Sequence, residues 1–151
     1  MNLKIRLADI DDSRIVWEWR NDNHTRKMSK KSDLVPWEEH QKWFKSSLNS
    51  SNRVIFIGLL DDKRMGIARY DEIRPAEFEV SINIGPQYRG KKWSKKIILD
   101  SISELCKMRT VSKIFAETKS SNVTSSRLFA SAGFVKVRSQ ESMNYYVYEI
   151  L

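Results

Sequence analysis

From Gln87 to Lys96 the chain reads Gln-Tyr-Arg-Gly-Lys-Lys-Trp-Ser-Lys-Lys, with five basic residues in the eight positions from Arg89 to Lys96. Ile97, Ile98, Ile102, Leu105 and Cys106 then recur at helical spacing, so the run falls where a helix begins. A helix N-terminus already carries partial positive charge on its unpaired N–H groups, and lysines placed there repel it and one another. That placement works against stability and suits the holding of phosphates. A solvated basic face is the ordinary reading of a charge run. Here a glycine at the turn, an extended segment before it and a helix behind it together describe an anion cradle.

The elements that must position this cradle are legible on both sides of it. Residues 77–84 alternate, with Phe78, Val80, Ile82 and Ile84 against Glu77, Glu79, Ser81 and Asn83, and read as a strand that Gly85-Pro86 ends. Upstream, residues 2–7 predict a first strand, and Asp11, Asp12 and Ser13 start a helix carrying Ile15, Val16 and Trp19. A second helix is expected from Pro36 to Leu48, with Trp37, His40, Phe44 and Leu48 on one face. Arg53–Leu60 and Met65–Tyr70 predict a hairpin turning at Asp61-Asp62-Lys63. Downstream, the basic helix runs to Met108, a strand spans Lys113–Thr118, and a helix spans Asn122–Ala132, stopped by Gly133. Phe134–Arg138 and Met143–Leu151 close as two strands. Hairpins mixed with single crossover helices give one α+β domain over residues 1–151, with a mixed, mostly antiparallel central sheet and about four flanking helices.

The second informative stretch is Asn122-x-x-Ser125-x-x-Leu128-Phe129-x-x-x-Gly133-Phe134. Its parts have local explanations, since Asn122 caps a helix and Gly133 suits its C-terminal turn. At this distance behind the basic loop, however, the two stretches together resemble the GNAT superfamily of acetyl-CoA-dependent N-acetyltransferases, over nearly the whole chain. Gln87, Arg89 and Gly90 match the pyrophosphate-loop pattern of that family; Lys92 stands where its second glycine is usual, and Ser94 where a further small residue often sits. Within the superfamily, Trp19-Arg20-Asn21-Asp22, Glu39-His40-Gln41-Lys42-Trp43-Phe44, Gly66-Ile67-Ala68-Arg69-Tyr70-Asp71 and Lys119-x-x-Asn122-x-x-Ser125 look like two groups. One is the acetyltransferases of bacterial sialic-acid-like sugar pathways, among them the pseudaminic-acid-pathway enzyme that acetylates a nucleotide-linked amino sugar. The other is the ribosomal-protein N-terminal acetyltransferases.

The resemblance implies acetyl-CoA as co-substrate and no metal. It implies that Gln87, Arg89, Gly90, Lys91, Lys92, Trp93 and Ser94 form the pyrophosphate loop, and that Asn122, Ser125 and Phe129 line the pantetheine arm. It implies further that the strand before the loop splays from its neighbour, giving backbone roles at the acetyl group to Ile82, Asn83 and Ile84. Glu117, Glu79 and His40 are then the candidate bases, and Arg20, Asn21, His40, Trp43 and Arg69 lie on the acceptor side. His40 shares a stripe with Trp37 and Phe44, which favours packing. Phe129 stands where the family often has a Tyr that protonates the leaving thiolate; a thiol of pKa roughly 8.5 leaves without much help. Tyr145, Tyr146 and Tyr148 are substitutes in type. The acceptor is a primary amine, best matched by the 4-amino group of a nucleotide-linked amino-dideoxy sugar, with a protein N-terminus as the alternative.

Composition bounds these readings. The 151 residues carry 27 Lys and Arg against 19 Asp and Glu, a formal charge of +8. Charge alone would allow nucleic-acid binding, but the basic residues gather at the loop, and no zinc-ligand spacing or basic-region helix accompanies them. A non-catalytic acetyl-CoA-binding domain is the other alternative, given Lys92 and Phe129. One cysteine, Cys106, no apolar leader and no span of transmembrane length suggest a cytoplasmic protein with no membrane partner. Cys106 reads as a core residue of its helix, and a homodimer stays open.

Overall fold

The computed structural model describes residues 2–90 and 92–151. Five helices and seven strands follow in the order β1 (Leu3–Leu7), α1 (Ser13–Asn21), α2 (Asn23–Met28), α3 (Trp37–Leu48), β2 (Arg53–Leu60), β3 (Lys63–Arg74), β4 (Glu77–Ile84), α4 (Trp93–Met108), β5 (Lys113–Lys119), α5 (Val123–Ser131), β6 (Val135–Gln140) and β7 (Met143–Glu149). Short 3-10 turns precede α1 and α4. The strands form one sheet in the order β1-β2-β3-β4-β5-β7-β6, antiparallel throughout except where β4 meets β5. The α+β GNAT architecture expected from the sequence is the one observed, with five α-helices instead of about four. The additional one is α2, which buries no residue and so leaves no apolar period to read.

Each face of the sheet has its own core. On one face α4 and α5 cover Phe56, Tyr70, Phe78, Val80, Ile114 and Ala116; on the other α1 and α3 cover Ile55, Ile57 and Ile67. Alternation along the strands sorts the residues, since successive side chains point to opposite faces. Glu79, Ser81 and Asn83 therefore share the α1/α3 face with Arg69, Asp71 and Glu117.

The seating of α4 matters most, because its N-terminus begins the basic loop. Gly58 and Gly66 are direct partners across β2 and β3. A Cβ on Gly58 would stand 2.9 Å from Ile97 Cδ1, and one on Gly66 2.9 Å from Ile84 Cδ1 and 3.1 Å from Ile97 Cδ1. The two glycines form a notch that receives Ile97, which is fully buried with Ile98 beside it. Each such isoleucine contributes roughly 1.5–3 kcal/mol by burial. The buried stripe of α4 is Ile97, Ile98, Ser101, Ile102 and Leu105. Cys106, expected in that core, is exposed instead: it stands about 100° around the helix from Leu105, outside the stripe.

Candidate active site

The loop before α4 is an anion cradle in geometry. Gly90 holds φ +73°, and nothing lies within 4 Å of where its Cβ would be, so a ligand can approach its backbone. Lys92 is the N-cap of α4, at φ +64°, with no side-chain cap bond. The position where the family pattern has glycine is thus one that favours glycine, and Lys92 holds it at a cost of roughly 1–2 kcal/mol. The first N–H groups of α4, at Trp93 and Ser94, lack a side-chain cap and point at the loop. Alongside, Lys92, Lys95, Lys96, Leu99 and Asp100 line an open pocket of about 270 Å³. Gln87 is exposed on the loop, and Lys91 lies outside the described residues. These groups fit a pyrophosphate.

Arg89 has a different place from a free phosphate clamp. Its Nη2 donates to Asp22 Oδ2 at 2.8 Å and to Thr25 Oγ1 at 2.7 Å. Burial pushes the Asp22 carboxyl up, but the Arg89 guanidinium and the backbone N–H of Thr25 outweigh it and hold the group below the usual carboxylate range. Arg89 ties the loop to the start of α2.

Beside the loop the sheet opens. β4 pairs with β5 only through Glu77↔Lys113, Phe78↔Ile114 and Glu79↔Phe115. From Val80 onward β4 has no partner on that side. Gly85 N–H donates to Met65 carbonyl at 2.8 Å. Bonded and non-bonded pairs alternate along an antiparallel ladder, so Asn83 and Ser81 exchange bonds with β3, and the N–H groups of Ile82 and Ile84 face the opening. The Asn83 backbone is thereby committed to β3, and its side-chain Oδ1 accepts from Thr25 Oγ1 at 3.2 Å. On the far wall Asn122 caps α5, its Oδ1 accepting from Ser125 N–H at 3.1 Å. Phe129 does not reach the opening; it is 3% exposed and packs on Phe134 and Tyr146 in the main core.

Two carboxylates flank the point of divergence. Glu79 is the last paired residue of β4 on that side, and Glu117 stands two residues beyond its partner Phe115. Burial, and then the charge of Glu117, push the Glu79 carboxyl above its usual range, with Lys30 pulling it partly back. Glu117 is paired with the Lys30 ammonium, which comes from the segment after α2. Tyr145 is opposite Glu117 in register and is the tyrosine on this face; Tyr146 is buried in the other. His40 is fully buried and not at this site. Its Nε2–H donates to the Ser13 carbonyl at 2.9 Å, and its rings of contact are Trp37, Trp43 and Phe44. Burial takes it from the ordinary 6.5 to about 4. A neutral, enclosed imidazole bonded to a backbone carbonyl has no reach to an acceptor.

That burial has a consequence for stability. Between pH 6.5 and 4 the unfolded chain binds a proton at His40 that the folded chain refuses. Its contribution is complete above about pH 6.5 and falls by about 3 kcal/mol as the pH drops toward 4. Urea unfolding at pH 7, 5.5 and 4 is expected to show this decline in the wild type and to lose that component in His40→Gln. An equal decline in both would remove His40 as its source.

Next to the carboxylates lies a cluster of guanidinium groups. Arg20, Arg53 and Arg69 stand 4.9, 5.6 and 5.4 Å from the ring centre of Trp43. Asp71 is shared by Arg53, at 2.6 Å, and Arg69, at 3.2 Å. Arg69 Nη2 also donates to Ser81 Oγ, while its buried Nε has no aligned acceptor among the described residues. Burial, then the charge of Arg69, lower the pKa of Arg20, and burial lowers that of Arg69. Both stay protonated in water. Asn21, expected at the acceptor, instead uses its amide to clamp Val35, donating to its carbonyl at 2.9 Å and accepting from its N–H at 2.8 Å. Arg53, Lys30 and the Asp22–Thr25 pair were not singled out by sequence, since each acquires its meaning from a partner far along the chain.

A family model described as an acetyltransferase (GNAT) domain matches residues 9–141. An uncharacterised protein of Methanocaldococcus jannaschii is 27% identical over 154 residues, covering 97% of this chain and 30% of its own length. The chain thus spans under a third of that relative. Among solved structures, a domain from the same organism superposes with TM-score 0.84 at 22% identity, covering 99% of each chain. Spermidine N-acetyltransferase from Vibrio cholerae, in complex with CoA and spermine, superposes with TM-score 0.83 at 15% identity over 96% of this chain and 92% of that one. A GNAT acetyltransferase from Streptococcus pneumoniae gives 0.77 at 16% identity, over 99% of this chain and all of that one. No helix among the described residues is long and apolar enough to cross a membrane, and no group of three or more metal-ligating side chains occurs among them.

Proposed function

The chain belongs to the GNAT acetyltransferase family, and we propose that it is an acetyl-CoA-dependent N-acetyltransferase whose acceptor is an amine carried on an anionic molecule, the 4-amino group of a nucleotide-linked amino-dideoxy sugar. One observation carries this reading: three guanidinium groups surround Trp43 with Asp71 as their one bonded carboxylate among the described residues, next to a carboxylate pair at the divergence of β4 and β5. A diphosphate fits guanidinium groups through charge-assisted, bidentate bonds. A polyamine such as the spermine bound in the Vibrio cholerae structure would meet repulsion at these arginines.

In this reading the pyrophosphate of acetyl-CoA lies on the Gly90 backbone and the N-terminus of α4, with Lys92, Trp93 and Ser94, and its acetyl carbonyl faces the N–H groups of Ile82 and Ile84. Asn122 and Ser125 flank the pantetheine arm. Glu79, whose carboxyl burial and the charge of Glu117 raise above its usual range, takes the proton of the acceptor ammonium. Glu117 holds the ammonium in place and raises Glu79 through its charge.

Thiol release from acetyl-CoA tests the proposal across a panel of acceptors: a UDP-linked 4-amino-4,6-dideoxy sugar, free amino sugars, peptides with different N-termini, and spermidine. Turnover is expected with the nucleotide sugar and to be inhibited competitively by UDP. Preference for spermidine would overturn it, and preference for a peptide would move the protein to the N-terminal acetyltransferases.

A further inference from the structure

We propose that the protein acetylates itself at Lys30, whose side-chain amine Glu117 holds in the acceptor's place. The inference rests on the N-acetyltransferase reading above but not on the identity of the acceptor. Lys30 lies in the connection between α2 and α3, exposed along its stem, yet its Nζ reaches over the sheet to pair with Glu117. The charge of Glu79 acts on it as well. It is therefore a primary amine held on Glu117, with Glu79 on the neighbouring strand, at the point where β4 leaves β5 and the N–H groups of Ile82 and Ile84 turn toward the opening.

Lys30 is also held differently from an ordinary surface lysine. Its segment is pinned at both ends. Lys119 Nζ donates to the Lys27 carbonyl at 3.0 Å, and the Asn21 amide clamps Val35. Thr25 bonds Asn83, and Arg89 bonds Asp22 and Thr25, so α2 lies across the opening, fixed to β4, β5 and the phosphate loop by polar contacts. With no acceptor bound, the amine nearest the carboxylates belongs to the protein.

The chemistry balances without another reagent. The Lys30 ammonium gives one proton to Glu79, which passes it to solvent. The neutral nitrogen attacks the acetyl carbonyl, the C–N bond forms, and the C–S bond breaks with its electron pair leaving on sulfur. The nitrogen's second proton ends on the thiolate, giving CoA thiol and an N-acetylated Lys30. The pair with Glu117 holds Lys30 protonated, its pKa raised above the ordinary value, which slows uncatalysed acetylation. An exposed lysine such as Lys95 or Lys63 is the control for that background.

The test is incubation of the purified protein with acetyl-CoA and no added amine, followed by mass spectrometry of acetyl occupancy at each lysine. Lys30 is expected to gain acetyl roughly tenfold or more faster than Lys95 or Lys63, and Glu79→Gln to abolish that excess while leaving the other lysines unchanged. Lys30→Arg serves as the assignment control. Acetylation of Lys30 at the background rate, or at a rate indifferent to Glu79→Gln, overturns the inference. The acceptor panel reads separately: turnover on the panel without acetyl-Lys30 removes this inference alone, and acetyl-Lys30 with preference for spermidine removes the anionic-acceptor reading alone.

Discussion

Glu79→Gln is expected to lower kcat by roughly two to four orders of magnitude while KM for either substrate stays within a few-fold. The size follows from what the substitution removes. Gln keeps the shape and can hydrogen-bond, but it cannot take a proton from an ammonium. The pH dependence separates this from a structural effect. Burial and the neighbouring Glu117 raise the Glu79 carboxyl, so kcat/KM in the wild type should climb with pH along an acid limb centred above the ordinary carboxylate range. Glu117→Gln takes away the second of those two causes and leaves Lys30 unpaired; both changes pull Glu79 down, and the limb should move to lower pH with a smaller loss of kcat. Because the two carboxylates interact, the limb belongs to the pair as a whole. A wild-type rate profile in Glu79→Gln would transfer the base to Glu117 or to water.

The second large effect concerns the acceptor. Arg20→Ala with Arg69→Ala removes two guanidinium groups from the Trp43 cluster while keeping Arg53 bonded to Asp71 and Ser47. Bonds to charged groups contribute roughly 1.5–3 kcal/mol each, so KM for a nucleotide-sugar acceptor should rise roughly a hundredfold or more, with KM for acetyl-CoA unchanged. Arg69 also contacts Ser81 and Asp71, so the thermal midpoint of the variant must be measured beside its kinetics. Arg→Lys at both positions should restore only part of the affinity, since a point charge lacks the fork that matches a phosphate. Retention of wild-type KM in a folded double variant would take the anion site away from these residues.

Much of this was open to reading in the chain itself. Strict alternation over residues 77–84 fixed β4 and its faces because a strand repeats every two residues. The lysine run meeting the apolar stripe of Ile97, Ile98, Ile102 and Leu105 located the start of α4, and Asn122 with Gly133 bounded α5, because these signals are local. Helix α2 was not legible: Asn23–Met28 buries nothing, and what holds it are Arg89, Asn83 and Lys119, 58 or more residues away. For the same reason Asn21 read as an acceptor contact and proved to be a clamp on Val35.

The hairpin of β2 and β3 shows where sequence stops and tertiary structure takes over. Asp61 and Asp62 hold φ +48° and +68°, a two-residue turn that pairs Leu60 with Lys63. Counting back from that turn would set Arg53 opposite Tyr70. Instead the ladder shifts by one between Gly58 and Leu59, and Arg53 pairs with Asp71. A one-residue shift exchanges the faces of a strand. The chain alone determined the basic loop before α4, the two carboxylates and the type of fold. The bulge, which lets paired Gly58 and Gly66 receive Ile97, decided that Arg69 and Asp71 would join Arg53 on the α1/α3 face, because register is settled by packing across the whole sheet and not by the turn.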